Sequence, residues 1–559
     1  MNDALTPTST PTSSPTSPTS PTSLTSRIDA IPQRAQELFD RYRTSNRAWK
    51  LTIASVFLAE AVMLAWVGRN QWYFFDEWRL VVERVIQLPG QEHGLFKRLF
   101  LPDGEHVIAL PLALFILLTN AAGLGTYAPF IVANIIVRLA TLWLADDIIR
   151  RLGGRRAARL LVMISIAFFG AGFESLFGQS LIFAGFTLVF CLLAIRETLK
   201  PNRSEWLRGG IAAAYLVGAI FSSSYGFPVV IGTALLFLFG RRRIAAAIAL
   251  VVPPVAFLVV RALAGGAYAQ QQPVQLSRVP LYIDYIQNGV GSVGEAILGL
   301  DNLGLAAYLI LVVGCIWFGR GRQQAWFGLA MVCSVVAFYG VASISRSVFG
   351  ADQAVSPRYL FFCGVLTLIM LGAAWGNRRL ELRGAIVVGL LVLVSFSNSL
   401  GRLIEGKDYY VSKMELSEGR LRVGFAAATE SGFDAFTPDP QWAPDLYLSR
   451  LDAVLGWSGS ADLIAEGTRC YNVRLAELDA AGFDTELLDA RNRVALVLML
   501  NEHSLGVYGE NERTISYLIE AGSTGSTGNP VVDQFADAYA TIGNVFPQSD
   551  LVPSAARCD

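Results

Sequence analysis

Two adjacent carboxylates, Asp76 and Glu77, sit in the aromatic run Tyr73-Phe74-Phe75-Asp76-Glu77-Trp78-Arg79. Taking carboxylates out of water against such rings is costly unless they have a partner or a purpose. One reading is a general base at a membrane surface, its protonation tuned by its neighbours. The other is a solvated helix start, with Asp76 as N-cap and Glu77 in the first turn. A second signal lies in one short connection, 344–358, which carries Arg346 and, in Ser356-Pro357-Arg358-Tyr359, Arg358. A guanidinium holds phosphate with a planar fork of donors. Interfacial snorkelling, or pairing with Asp352, is the alternative. Glu105 and His106 precede an apolar run, where His106 could orient Asp76 or a substrate, or cap a helix. Glu174 and Gln179 flank a short turn, and a carboxylate at that depth usually faces an interior cavity. Ser222-Ser223-Ser224-Tyr225-Gly226 reads as a turn between helices, and Arg79, Arg84, Lys97 and Arg98 as a solvated face that could help to hold phosphate.

These residues must be positioned by membrane helices. The chain has 559 residues, of which 53% are hydrophobic and 16% charged, with a mean hydropathy of +0.44; soluble chains carry about 25% charged residues. The formal net charge is zero but uneven: from Gly401 onward 24 acidic residues stand against 12 basic ones. That asymmetry fits regions on two sides of a membrane and argues against a nucleic-acid binder. Apolar runs near 51–68, 128–148, 157–173, 180–196, 209–224, 226–240, 244–262, 303–319, 324–343, 359–376 and 384–400 predict about eleven transmembrane helices. Basic clusters, among them Arg150-Arg151, Arg155-Arg156, Arg241–Arg243 and Arg378-Arg379, then fall on the side of the N-terminus, which the positive-inside rule makes cytoplasmic. The acidic C-terminal region is thereby extracytoplasmic.

Residues 1–47 read as a disordered Pro/Thr/Ser-rich cytoplasmic tail followed by a short amphipathic helix. Residues 48–400 form the transmembrane domain and 401–559 a mostly helical soluble domain. Within the long first external loop, 69–127, the apolar run 107–123 is short, contains Pro111 and Asn120, and as a span would put the Arg150–Arg159 cluster outside; it is read as a helix lying in or dipping into the outer membrane surface. A twelfth span is the alternative. Cys470 and Cys558 lie in the C-terminal region, where an oxidising compartment could pair them. Trp442, Tyr447 and Trp457 could stack on sugar or fill a core. That region shows no metal-ligand spacing, phosphate loop or nucleophile elbow.

Residues 48–400 resemble the GT-C superfamily of polyprenyl-phosphate-sugar-dependent membrane glycosyltransferases, in a divergent bacterial branch. The resemblance rests on a first span, the external Asp76-Glu77 pair, a long loop with surface helices, and a second span ending in a basic turn. Gly104-Glu105-His106 through Gly123-Leu124-Gly125-Thr126-Tyr127, then Arg150-Arg151-Leu152-Gly153-Gly154-Arg155-Arg156, is similar to that segment of bacterial members. Arg346 and Ser356-Pro357-Arg358-Tyr359 look like the group's late external segment, with Pro357 interrupting it. Glu105-His106 stands where protein-mannosyltransferase-like members have a Pro-Pro pair. The resemblance implies a sugar moved from a polyprenyl-phosphate carrier to a glycan, lipid or protein acceptor, with inversion, in a bacterial plasma membrane. It implies Asp76 as base with Glu77 assisting, and Arg346 and Arg358 on the leaving phosphate. Some relatives use a divalent metal; the metal here stays open. The competing class is a transporter or flippase, for which Pro253-Pro254 inside a span would speak.

Overall fold

The structure, a computed structural model, describes residues 46–74, 76–88, 92–103, 106–178, 182–201, 203–265, 274–319, 321–375, 382–429, 443, 448–480 and single positions between 486 and 501. The chain divides into two units, 1–55 and 56–559. Of the first, residues 46–55 are described and are helical.

The protein is all-helical, with no strand among the described residues. The helices are α1 (Asn46–Gly68), α2 (Asp76–Leu80), α3 (Leu95–Phe100), α4 (Ala109–Ala122), α5 (Ala128–Arg151), α6 (Arg156–Ala167), α7 (Phe173–Phe177), α8 (Ile182–Thr198) and α9 (Glu205–Ile220). They continue as α10 (Gly226–Phe239), α11 (Arg243–Ala264), α12 (Val279–Leu298), α13 (Leu305–Phe318), α14 (Arg322–Arg346) and α15 (Pro357–Trp375). The last described are α16 (Leu382–Thr429), α17 (Leu448–Leu455) and α18 (Ala461–Ala480).

Among the described residues, five helical segments are long and apolar enough to cross a membrane: Asn46–Gly68, Ala128–Arg151, Arg243–Ala264, Gln323–Phe349 and Pro357–Ala374. A sixth crossing results if Arg156–Ala167 and Gly170–Phe177, bent by 41°, count as one broken span. The expected spans at α8, α9, α10 and α13 coincide with helices of 17, 16, 14 and 14 residues, and 384–400 lies within the 48-residue α16. At 14 residues each, α10 and α13 reach about 21 Å, below a hydrocarbon core of about 30 Å. The same length holds for α4, the expected surface helix. Exposed Leu258, Val259, Ile310, Val313 and Trp317 give α11 and α13 apolar outer faces, as helices in contact with lipid require.

Helix ends gather at two levels. At one, Arg196 at the end of α8 meets Asp147 near the end of α5 at 2.5 Å, and Arg242 Nη1 donates to the Thr198 carbonyl at 3.0 Å. Gln324 Nε2, at the start of α14, donates to the Leu152 carbonyl at 3.0 Å. The basic turns after α5, α8 and α10 therefore share one end of the bundle. At the other end, Gln71 Nε2 donates to the Phe177 carbonyl at 2.6 Å, the Leu110 N–H to that of Phe221 at 3.2 Å, and Asn288 Nδ2 to that of Ala351 at 2.9 Å.

Two elements depart from expectation. α12 occupies a stretch read as an external connection. Its Gly291 and Gly294 let the backbone of α13 approach so closely that a Cβ at Gly294 would lie 2.3 Å from the Tyr308 nitrogen. α16 runs unbroken for 48 residues across position 400, where the transmembrane domain was expected to end. Its later turns share a core with the first loop: Trp72, Tyr73 and Trp78 pack in one cluster with Leu421, Phe425, Val454 and Leu463.

Candidate functional site

Asp76 opens α2 with its side chain 55% exposed, while Glu77 beside it is 2% exposed. Glu77 Oε2 accepts the Phe74 N–H at 2.9 Å and Oε1 accepts the Tyr127 hydroxyl. Burial pushes the Glu77 carboxyl up to about 8, against the pull of those two hydrogen bonds. Burial and the nearby Glu77 likewise hold the Tyr127 phenol well above its ordinary range. Glu77 is thus a neutral group stapling the first loop to the start of α5, inside the ring cluster of Tyr73, Trp78, Tyr127 and Phe130. The helix then continues as a π-helical turn, Val81–Ile86, a geometry frequent at functional sites.

Asp76 is linked onward. Arg79 lies 3.5 Å from Asp76 and 2.9 Å from Asp103. Asp103 in turn exchanges two backbone hydrogen bonds with His106, at 2.7 and 3.0 Å. Burial raises the Asp103 carboxyl, opposed by Arg79. Arg84 and Arg98 are structural: Arg84 donates to the Arg98 and Pro102 carbonyls at 3.2 and 3.1 Å, and Arg98 Nη2 to that of Val85 at 2.9 Å.

His106 lines a small cavity, about 370 Å³ with its open mouth included, together with Ser224, Tyr225, Ser345, Arg346 and Tyr359. Its Nδ1 is 2.6 Å from Ser224 Oγ, and its ring meets Tyr225 edge-on at 5.5 Å. Burial, reinforced by Arg346 and Arg358, pushes the imidazole down to about 3, so it is neutral and its ring nitrogens act as hydrogen-bonding groups. Tyr359 stacks into the same wall, 5.7 Å from Tyr225 and 5.5 Å from Phe338. Directly behind, Arg358 Nε lies 4.0 Å from Glu174 Oε2, which also accepts the Ser356 hydroxyl at 3.3 Å. Five expected site residues, His106, Glu174, Arg346, Arg358 and Tyr359, therefore meet at one end of the bundle. Asp76 stands off, reaching them through Arg79 and Asp103. Glu77 faces the loop core. Glu105, Gln179 and Cys558 lie outside the described residues, as do Trp442 and Tyr447. Cys470 is disulfide-bonded, and Trp457 is partly buried against the shared core.

Two contributors were read from the sequence only as a turn, and a third, Tyr410, was not singled out. Ser224 and Tyr225 make the turn they were expected to make and also line the cavity. Tyr410 of α16 packs against Phe74 at 6.0 Å and Phe173 at 5.9 Å. Burial, with the Glu174 carboxylate nearby, holds its phenol well above the ordinary range. Among the described residues no three His, Cys, Asp or Glu side chains lie close enough to hold a metal ion. Asp76 and Asp103 are both engaged by Arg79, so they do not make a ready divalent-metal site.

No family model matches the chain, and no curated protein and no solved structure matches it.

Proposed function

We propose that the protein is a membrane glycosyltransferase that takes a sugar from a polyprenyl-phosphate donor and passes it to an envelope glycan, lipid or protein acceptor. The observation that carries this reading is the cavity where Arg346 and Tyr359 meet His106 and Ser224, with Arg358 immediately behind. Two arginines and neutral hydrogen-bonding groups at one rim suit an anionic phosphate leaving group. Asp76, exposed at the start of α2, is the base in this reading: it removes the acceptor hydroxyl proton as that oxygen attacks the anomeric carbon. The bond from that carbon to the carrier phosphate breaks, and the phosphate leaves as an anion held by Arg346 and Arg358. A stable leaving anion makes one base, positioning and a cationic clamp sufficient. Single displacement inverts the anomeric centre. Glu77, neutral and turned inward, positions the loop and takes no proton. No step here uses a metal.

In this reading the helices cross the plasma membrane of a bacterium eleven times, the basic turns face the cytoplasm, and the cavity and the C-terminal region lie outside. The gathering of the basic turns at one end of the bundle supports that orientation. The test is sugar transfer in proteoliposomes supplied with a panel of polyprenyl-phosphate sugars. Transfer by wild type that is lost in folded Asp76→Asn supports the class and the base. Transfer surviving the substitution removes Asp76 from that role. Tracer flux without transfer would replace the reading with transport.

A further inference from the structure

At the basic end of the bundle, far along the helices from His106, lies a second cavity of about 770 Å³, its open mouth included. It is walled by the end of α8, the turn after α10 and the start of α14, with Thr198, Phe239, Arg242, Gln323 and Trp326 among its lining residues. Phe239 and Trp326 stack at 4.1 Å and 22°, forming an apolar wall. Arg242 Nη1 donates to the Thr198 carbonyl at 3.0 Å, which fixes the guanidinium in that wall. The turn places Arg241 in the left-handed region, φ 58°, and leaves Arg241 and Arg243 exposed on either side of Arg242. Immediately beside these charges, Leu238 and Ile244 are exposed apolar side chains at 48% and 41%.

A fixed guanidinium flanked by two exposed ones, next to exposed aliphatic side chains, matches an amphiphile with a phosphate head better than a free anion. Arginine forks fit phosphate oxygens, and basic pockets between membrane helices take anionic headgroups. We propose that this cavity binds the headgroup phosphate of an anionic phospholipid in the leaflet bordering the basic turns, with an acyl chain along Leu238 and Ile244. The site is independent of the glycosyltransferase reading and requires only that the helices sit in a bilayer.

The full-length protein in nonionic detergent is titrated with short-chain phosphatidylglycerol, phosphatidylcholine and inorganic phosphate, with bound lipid counted by native mass spectrometry. Phosphatidylglycerol is expected to bind and phosphatidylcholine to bind at least about tenfold more weakly, a difference of about 1.4 kcal/mol. Replacing Arg241 and Arg243 together by Gln is expected to weaken phosphatidylglycerol by roughly fivefold per arginine. Arg242→Lys, which keeps the charge and loses the fork, should weaken it further. Equal binding of the two lipids, or unchanged phosphatidylglycerol binding in the double variant, overturns the proposal. So does complete displacement of the lipid by inorganic phosphate at equal concentration, which would make this a soluble-phosphate site. Should Arg242→Lys fail to fold, the exposed double variant still decides.

Discussion

Arg358 and Glu174 face each other at 4.0 Å, and the Ser356 hydroxyl donates to the same Glu174 oxygen. Arg358 is therefore held by a carboxylate that an incoming phosphate must compete with. Glu174→Gln removes the competing charge and keeps the shape. It is expected to lower the donor KM several-fold and to slow release of the carrier phosphate, while Arg358→Ala raises the donor KM by at least about tenfold. Steady-state kinetics against a short-chain donor separates the two. Equal donor KM in all three proteins would mean that this pair is structural.

The two neighbouring acids should separate in mutagenesis. Asp76→Asn is expected to lower kcat by about two orders of magnitude or more with an unchanged melting temperature, because its side chain is exposed. Glu77→Gln should keep most of the activity, since the native group is already neutral near pH 7 and glutamine preserves its outline. Glu77→Ala leaves the Tyr127 hydroxyl and the Phe74 N–H without an acceptor, a loss of about 1–3 kcal/mol of stability. A Glu77→Gln enzyme as inactive as Asp76→Asn would return Glu77 to the chemistry.

That division was only half visible in the sequence. Asp76-Glu77 announced itself because paired acids among aromatic rings are costly, but adjacent residues on a helix point about 100° apart, and residue types do not say which one turns inward. The helices themselves were legible because long apolar runs alternate with arginine turns. α12 was not: Gly289, Gly291, Ser292 and Gly294 dilute its hydropathy, and Asp284 and Glu295 interrupt it. Those same small residues are what permit its close approach to α13, a tertiary fact with no local periodic signature. Ser224 was read correctly as a turn and missed as a cavity residue, since its partner His106 is 118 positions away.

The packing of α12 gives a stability test. A Cβ at Gly294 would lie 2.3 Å from the Tyr308 backbone nitrogen, and backbone cannot step aside as a flexible side chain can. Gly294→Ala should lower the melting temperature in detergent and cost about 1–3 kcal/mol. Gly265→Ala, with φ +72° and nothing near its Cβ position, tests backbone strain alone and is expected to cost about 1 kcal/mol. A Gly294→Ala protein as stable as wild type would mean that α12 and α13 pack less closely.

Orientation can be read by labelling. Ala465 in α18 and Gln323 at the start of α14 are both exposed, and the proposed topology puts them on opposite sides. A single cysteine at Ala465 is expected to react with an impermeant maleimide on intact cells, and one at Gln323 only after permeabilisation. The reverse pattern would invert the topology and place the His106 cavity in the cytoplasm.

Glu77 and His106 should leave opposite marks on the pH dependence of stability. The Glu77 carboxyl is raised from 4.5 to about 8 on folding, so between those values the folded protein holds a proton that the unfolded chain has lost. Its contribution is complete below about 4.5 and disappears as the pH rises through 8. His106 is lowered from 6.5 to about 3, so between those values the unfolded chain binds a proton that the folded protein refuses. Its contribution is complete above about 6.5 and is lost as the pH falls toward 3. Burial is the main cause of this shift, and the positive charges of Arg346 and Arg358 add to it. The two windows overlap between about 4.5 and 6.5, where the opposite slopes offset each other, so melting temperatures from pH 4 to 9 should be flattest there and fall on either side. Glu77→Gln is expected to flatten the alkaline limb and His106→Asn the acid limb, each leaving the other limb in place. If neither substitution alters its limb, the two side chains are hydrated and the buried geometry around them is wrong. If His106→Asn instead flattens the alkaline limb, the imidazole is protonated in the folded state, and the cavity carries a third positive charge beside its arginines.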